Sequence, residues 1–200
     1  MKTYTITRVT GQPDWSAIPT LSMDYDAQNS NAGVKAWAQI AYNEEGLQVH
    51  LKAQEAHIRS QESGPMARTW EDSCLEFFFC PDPTEERYIN VEAIPSGSFF
   101  LGIASNQKNL LRLLLVNNKE YFVPRVEFFE GGWEVYYTLT YTLIRCLFPH
   151  FDPQPGQTMP ANCYKCGDET VVPHWLAWNP LEQCPMKFHA PLNFGTMIFG

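Results

Sequence analysis

The residues of this chain best suited to chemistry lie in one segment, Trp70-Glu71-Asp72-Ser73-Cys74-Leu75-Glu76-Phe77-Phe78-Phe79. The segment leads from a tryptophan through three carboxylates into an apolar run. A sugar ring presents C–H groups on its faces and hydroxyls at its edge, so an aromatic plate can cover a face while acids and amides bind the edge. The segment therefore predicts a binding site for a polar ligand with apolar faces, of which a sugar is an example.

Alternation along the predicted strands decides which of these side chains can meet a ligand. Glu76 lies between Leu75 and Phe77 and should point away from the core, because successive side chains of a strand face opposite sides. The next predicted strand carries three side chains with polar groups on one face: Tyr88, Asn90 and Glu92. This row could line a concave sheet, or it could be the solvated outer face that half-exposed sheets commonly have.

The tryptophans could equally be core residues, since buried aromatic side chains outnumber those that bind ligands. Trp37 and Trp133 sit inside alternating strands, and we predict both to be buried. Trp70 instead follows the loop-like stretch 64–69, which favours a position on the rim of the sheet.

The acids could also form the pair of a glycoside hydrolase. Asp72 and Glu76 are four residues apart on one strand, or about 13 Å at ~3.3 Å per residue. Glycosidase carboxylates lie roughly 5–9.5 Å apart, so this pair does not fit. Glu76 and Glu92 on neighbouring strands could come closer. Non-catalytic binding is therefore the first hypothesis, and a glycoside hydrolase or its accessory domain is the alternative.

The six cysteines are expected to be mostly reduced core residues, because a chain of this size folds without disulfides. Cys163 and Cys166 form a Cys-x-x-Cys pair, but a zinc site needs about four ligands. The nearby candidates for the remaining ligands are Cys184, His174 and His189. Their spacing is incomplete for zinc, and we predict no metal site and no cofactor.

Composition limits the classes of binding partner that the sequence favours. The net charge of −8 in 200 residues disfavours nucleic acid and anionic membranes, and no apolar run is long enough to cross a bilayer. We expect one domain over residues 1–200. No signal peptide is evident, so the location would be extracellular or periplasmic if a leader was removed and cytoplasmic otherwise. The sequence does not determine the oligomeric state.

Period-two alternation is the main structural pattern. Strands are predicted at residues 34–42 and 47–53, paired as an antiparallel hairpin, and then at 75–80, 88–94, 98–104, 110–116, 124–130, 133–140, 158–165 and 196–199. Turns are predicted at Asn43-Glu44-Glu45-Gly46 and Asn117-Asn118, among others. One short helix is predicted from Thr142 to Phe148. Many short strands at this spacing predict an all-β antiparallel two-sheet β-sandwich, jelly-roll or immunoglobulin-like, with little helix.

Three segments occur in an order typical of a known family: the Trp70 to Phe79 block, the stretch Asn162-Cys163-Tyr164-Lys165-Cys166, and the ending from Phe188 to Phe199. The chain resembles the family-9-like carbohydrate-binding modules, which have a DOMON-like β-sandwich, from near Trp15 to the carboxyl end. The resemblance implies a sugar held between two aromatic side chains. It also implies that the ligand is a chain end of a β-glucan or xylan-type oligosaccharide.

The resemblance also suggests which residues bind the ligand. Trp70 matches the first aromatic plate and Glu76 the acid that follows it. Asn90 fits a position that binds sugar hydroxyls, whereas Tyr88 stands where related modules have an arginine. For the second plate, Trp178 is the first choice and Trp175 the second. The family contains structural calcium sites, and because no compact Asp-rich loop is present, structural calcium stays an open alternative without assigned ligands. A protein-interaction sandwich that has lost the slot is a further alternative.

Overall fold

A computed structural model describes residues 1–105, 109–116, 121–184 and 187–200. Within them the chain forms short 3₁₀ turns at Trp15–Ala17, Thr69–Glu71 and Pro191–Asn193, and one α-helix, α1, at Tyr141–Leu147. The strands are β1 Thr3–Arg8, β2 Leu21–Ser22, β3 Tyr25–Asp26, β4 Lys35–Tyr42, β5 Gly46–Gln54, β6 Cys74–Phe79, β7 Tyr88–Ala93, β8 Phe99–Ala104, β9 Leu111–Arg112, β10 Arg125–Phe129, β11 Gly132–Thr140, β12 Thr158–Gly167, β13 His174–Ala177 and β14 Gly195–Phe199.

The strands form one continuous sheet that curls back on itself. Its order is β10-β11-β5-β4-β1-β14-β12-β6-β7-β8-β9, with β13 added beside β12. The amino-terminal strand β1 joins two halves, because it pairs in parallel with β4 on one side and with β14 on the other. The halves share one core, in which Ile40 and Leu51 of the first belong to the same buried cluster as Phe77 and Val91 of the second.

The all-β class is confirmed, but two purely antiparallel sheets are not what forms. The other strand pairs in the described residues are antiparallel, whereas both pairs of β1 are parallel. Alternation at Thr3–Arg8 is a weak signal without a neighbouring turn, and sequence alternation does not say which distant strands a segment will join.

The predicted hairpin of β4 and β5 is confirmed, and its turn has a clear basis. The side chain of Asn43 accepts hydrogen bonds from the backbone N–H groups of Glu45 and Gly46. A Cβ atom at Gly46 would lie 2.1 Å from the carbonyl oxygen of Leu139, so only glycine fits there. The turn predicted at 117–118 lies outside the described residues.

The remaining predictions need small adjustments. The strand expected at 110–116 shortens to Leu111–Arg112, and the helix begins one residue early, at Tyr141. The Thr140 side chain caps that helix by accepting a hydrogen bond from the Leu143 N–H at 3.2 Å. No helix in the described part of the chain is long and apolar enough to cross a membrane.

Candidate functional site

A pocket of about 420 Å³ opens on the face of β12, β6 and β7 that points away from the shared core. Its volume lies within the range of small-molecule sites in proteins. Tryptophan, phenylalanine and histidine side chains meet carboxylates there. The residues used below are Trp70, Glu76, Glu92, Cys166, Asp168, Trp175, Phe188 and His189.

Trp70 stands at the mouth of this pocket. It lies in the 3₁₀ turn Thr69–Glu71 and is 39% exposed, as its approach through a loop predicted. Thr69 is buried, and its hydroxyl donates to a carboxylate oxygen of Glu92, which anchors the turn to β7. The Trp70 carbonyl accepts a hydrogen bond from the Asp168 N–H at 2.9 Å. The indole of Trp70 is therefore exposed, while the backbone of the turn that carries it is held by hydrogen bonds.

Trp175 is the second tryptophan of the pocket. It lies half-buried in β13, where it pairs with Cys166 of β12. Its indole Nε1–H donates to Asp168 Oδ1 at 2.8 Å. Asp168 thus contacts both tryptophans, one through its backbone and one through its carboxylate. Both tryptophans line the pocket, and among the described residues neither indole stacks on another aromatic ring.

Two glutamates form the buried part of the pocket. Glu76 of β6 and Glu92 of β7 lie directly opposite each other in the antiparallel register. They are 2% and 4% exposed, and the Cβ atoms of directly opposed residues on neighbouring strands lie about 4.5–5.5 Å apart. Strand alternation placed Glu76 correctly, because Leu75 and Phe77 belong to the shared core and Glu76 does not.

Burial changes the protonation of this pair. It raises the pKa of Glu92 to about 7, although hydrogen bonds from Thr69 and Asn90 act in the opposite direction. Burial also raises the pKa of Glu76 well above its ordinary value, and the neighbouring Cys166 and Glu92 add to the effect. Two carboxyls so close retain a proton near neutral pH. The carboxyl groups of Glu76 and Glu92, which form the floor of the pocket, can therefore donate as well as accept hydrogen bonds.

Asn90 and Tyr88 lie further from the open space. Both are fully buried. The Asn90 amide donates to Glu92 Oε1 at 3.0 Å, and its own carbonyl oxygen has no partner among the described residues. The Tyr88 hydroxyl lies 2.9 Å from His189 Nδ1. In this arrangement the two side chains support pocket residues and do not line the pocket themselves.

Trp178, the first choice for the second plate, lies elsewhere. It is 3% exposed and belongs to the shared core, with its ring edge-on to Tyr4 at 6.4 Å. It also packs so closely on Gly195 that a Cβ there would lie 2.7 Å from the indole. A side chain enclosed in this way has no free face for a ligand. Trp175, the second choice, is the tryptophan that lines the pocket with Trp70, because β13 ends at Ala177 and Trp178 continues into the core.

The structure also tests the predictions made for the other tryptophans and for the cysteines. Trp133 is fully buried as predicted, whereas Trp37 is half-buried on the outer face of β4, so that prediction was wrong. All six cysteines are free. Cys163 belongs to the shared core and Cys166 lines the pocket, because residues three apart on a strand face opposite sides.

The sequence analysis did not predict Asp168, Phe188 or His189 as part of a ligand site, although all three line the pocket. Asp168 directly follows β12, which ends at Gly167. Phe188 and His189 come from the carboxyl-terminal segment, and Phe188 stacks on Tyr164 at 4.1 Å between ring centroids. His189, named above only as a candidate metal ligand, lies within hydrogen-bonding distance of Tyr88 and lines the pocket. No local pattern marks residues that reach a site from distant loops.

Several solved structures have a similar fold. A proposed carbohydrate-binding protein from Bacteroides uniformis superposes with a TM-score of 0.84 at 24% identity, covering 100% of this chain and 99% of that one. A carbohydrate-binding module of family 9 from Caldicellulosiruptor kristjanssonii in complex with glucose gives 0.71 at 11% identity, covering 100% and 96%. The module from that organism in complex with cellotriose gives 0.71 at 10% identity, covering 99% and 93%.

Sequence comparison finds a matching family but no matching curated protein. No curated protein sequence matches the chain. The sequence profile of carbohydrate-binding family 9 matches residues 22–199, which is nearly the whole chain and confirms the resemblance inferred from the three ordered segments. The protein belongs to carbohydrate-binding family 9.

Proposed function

We propose that this protein binds carbohydrate without cleaving it, and that the sugar lies between Trp70 and Trp175 above the two glutamates. The observation that carries the proposal is the joint anchoring of both indoles by Asp168, beside a pocket of about 420 Å³ with a carboxylate floor. Aromatic faces suit the C–H faces of a sugar, and Glu76 and Glu92 suit its hydroxyls.

The family and its solved relatives support this proposal. Modules with this fold are solved in complex with glucose and with cellotriose. We propose a chain end of a β-glucan or xylan-type oligosaccharide as the ligand. The pocket is closed at its base by buried side chains, and a terminal ring fits such a pocket more readily than a ring within a chain does.

The first prediction concerns the two indoles. Trp70→Ala and Trp175→Ala should each weaken binding of cellobiose or xylobiose at least about tenfold, equivalent to about 1.4 kcal/mol, because each loses one stacking face. Isothermal titration calorimetry measures the affinity. Trp37→Ala is the matched control, since Trp37 is also half-buried but lies on the opposite half of the sheet.

Three outcomes of these titrations would contradict the proposal. Unchanged affinity in both pocket variants would place the sugar elsewhere, and a loss confined to Trp37→Ala would move the site to the outer face of β4. Comparing each disaccharide with its reduced alditol tests the chain-end proposal, since reduction opens only the reducing-end ring. Equal affinities for sugar and alditol would exclude recognition of that ring.

Hydrolysis is the second candidate, and the opposed pair Glu76 and Glu92 is what favours it. Retaining glycosidases place their carboxyls roughly 5–5.5 Å apart, which a directly opposed strand pair approaches. Both carboxyls are already engaged, however, with Thr69, Asn90 and Cys166. Incubation with oligosaccharides and analysis of the products decides between the candidates, since binding alone leaves the chain length unchanged.

A further inference from the structure

Two cysteines and a glutamate converge beside the pocket. Cys74 of β6 lies directly opposite Cys166 of β12 in the antiparallel register. Glu76 follows two residues after Cys74, so its side chain leaves the same face of the sheet. The three side chains are at most 2% exposed. Strand geometry thus brings two sulfurs and a carboxylate together from positions that are 90 residues apart in the sequence.

The distances suit a bound cation. The two Sγ atoms and a carboxylate oxygen of Glu76 all lie within 4.8 Å of one another. The closest contact is between Cys166 Sγ and Glu76 Oε1, at 3.0 Å. Tetrahedral zinc, with Zn–S bonds of about 2.3 Å and Zn–O bonds of about 2.1 Å, holds its ligand atoms roughly 3.5–3.8 Å apart. Small side-chain adjustments bring the three donors to that spacing.

We propose that Cys74, Cys166 and Glu76 bind a zinc ion, with a fourth position open to the pocket. Thiolate sulfur favours zinc over calcium or magnesium, which prefer oxygen ligands only. Cys166 and Glu76 line the pocket, so the site has an entry path from solvent. A water molecule or another polar group can fill the fourth position, as in zinc sites with three protein ligands.

Zinc binding changes the charge of these side chains. Both thiols lose their protons to solvent, and the two positive charges of the ion offset two of the three negative charges of its ligands. This site is distinct from the Cys-x-x-Cys pair considered from the sequence, because Cys163 points into the core on the other face of β12.

The test uses the reduced full-length protein without sugar. Titration with Zn²⁺ by calorimetry should give one site per chain with release of protons. Titration with Co²⁺ should give the thiolate-to-cobalt charge-transfer absorption and the strong visible bands of tetrahedral cobalt. Cys74→Ser and Cys166→Ser should each weaken Zn²⁺ binding at least about tenfold and reduce the charge-transfer band. Cys146→Ser is the matched control, because Cys146 is exposed on α1 and its substitution removes a thiol that lies outside the site.

Two results would overturn the proposal. One is the absence of a thiolate–cobalt band in the reduced protein whose fold is verified by circular dichroism. The other is Zn²⁺ affinity that falls equally in Cys146→Ser and Cys74→Ser, which would mean nonspecific binding to thiols. Zinc binding is measured here without sugar, and the sugar titrations are to be done on protein treated with a chelator, so failure of either proposal leaves the other standing.

Discussion

Three tryptophans show how the same residue type takes different roles according to its surroundings. Trp70 is open on a loop and Trp175 is held at the edge of the pocket by Asp168, whereas Trp178 is enclosed in the core. Only the first two line the pocket. The acids divide similarly, because strand alternation brings Glu76 and Glu92 to the pocket face.

The different positions of Trp70 and Trp178 predict different effects of their substitution on stability. Trp178→Ala should lower the free energy of unfolding by about 3–5 kcal/mol, because it leaves a large cavity against Tyr4 and Gly195. Trp70→Ala should change it by less than about 1 kcal/mol, since 39% of its surface is already exposed. Urea unfolding measures both variants. Equal destabilisation by the two substitutions would contradict this assignment of roles.

At the scale of elements, three buried asparagines hold the carboxyl-terminal loops against β12. The Asn162 side chain donates to the backbone carbonyls of Asn179 and Asn193, and accepts from the Asn179 N–H. The Asn193 side chain in turn accepts from the Cys184 N–H and donates to the Lys187 carbonyl. These bonds replace strand pairing where the chain is irregular, close to the pocket residues Phe188 and His189.

Asn193→Ala should therefore affect both stability and ligand binding. It removes four hydrogen bonds to backbone groups, and each buried group left without a partner costs about 1–3 kcal/mol, so we expect a loss of several kcal/mol. Sugar affinity should also fall, because the segment bearing Phe188 loses its attachment. Urea unfolding and calorimetry are the measurements. Unaltered affinity in the folded variant would show that this loop does not shape the site.

At the scale of the whole molecule, a buried polar network connects the two halves of the sheet. Glu55, which follows β5, accepts hydrogen bonds from Trp133 of β11 at 2.7 Å and from Ser73 at 2.9 Å. Lys165 of β12 lies 3.3 Å from the same carboxylate and donates to His174 Nε2 at 2.8 Å. The network is fixed only when both halves are in place, and it favours one arrangement of them.

His174 makes this network sensitive to pH. Burial, aided by the charge of Lys165, lowers the pKa of His174 from 6.5 to about 4, while Glu55 and Asp26 act in the opposite direction. Between pH 6.5 and 4 the unfolded chain therefore binds more protons at this residue than the folded one does. The free energy of unfolding should fall as the pH is lowered through that window, by up to about 3 kcal/mol.

Comparison with His174→Gln isolates this contribution. Glutamine can still accept from Lys165 but does not titrate, so the variant should lose less stability than the wild type between pH 6.5 and 4. Urea unfolding at several pH values gives both curves. The other histidines are the same in the two proteins and cancel in the difference. Parallel curves would mean that His174 is not the titrating group.

The sequence by itself determined the features that depend on neighbouring residues. Most of the longer strands, the turn closed by Gly46 and the exposed position of Trp70 follow from local patterns, as does the outward direction of Glu76. These features could be predicted because backbone alternation and turn chemistry act over a few residues. The order of three segments also identified the family.

Only the tertiary structure decided which distant residues meet. The parallel pairing of β1, the anchoring of two tryptophans by Asp168 and the approach of Cys74 to Cys166 each depend on strand register across the sheet. The choice of Trp175 over Trp178 depends on where β13 ends and the core begins. Register is set by the packing of the whole core, so no single segment of the sequence contains it.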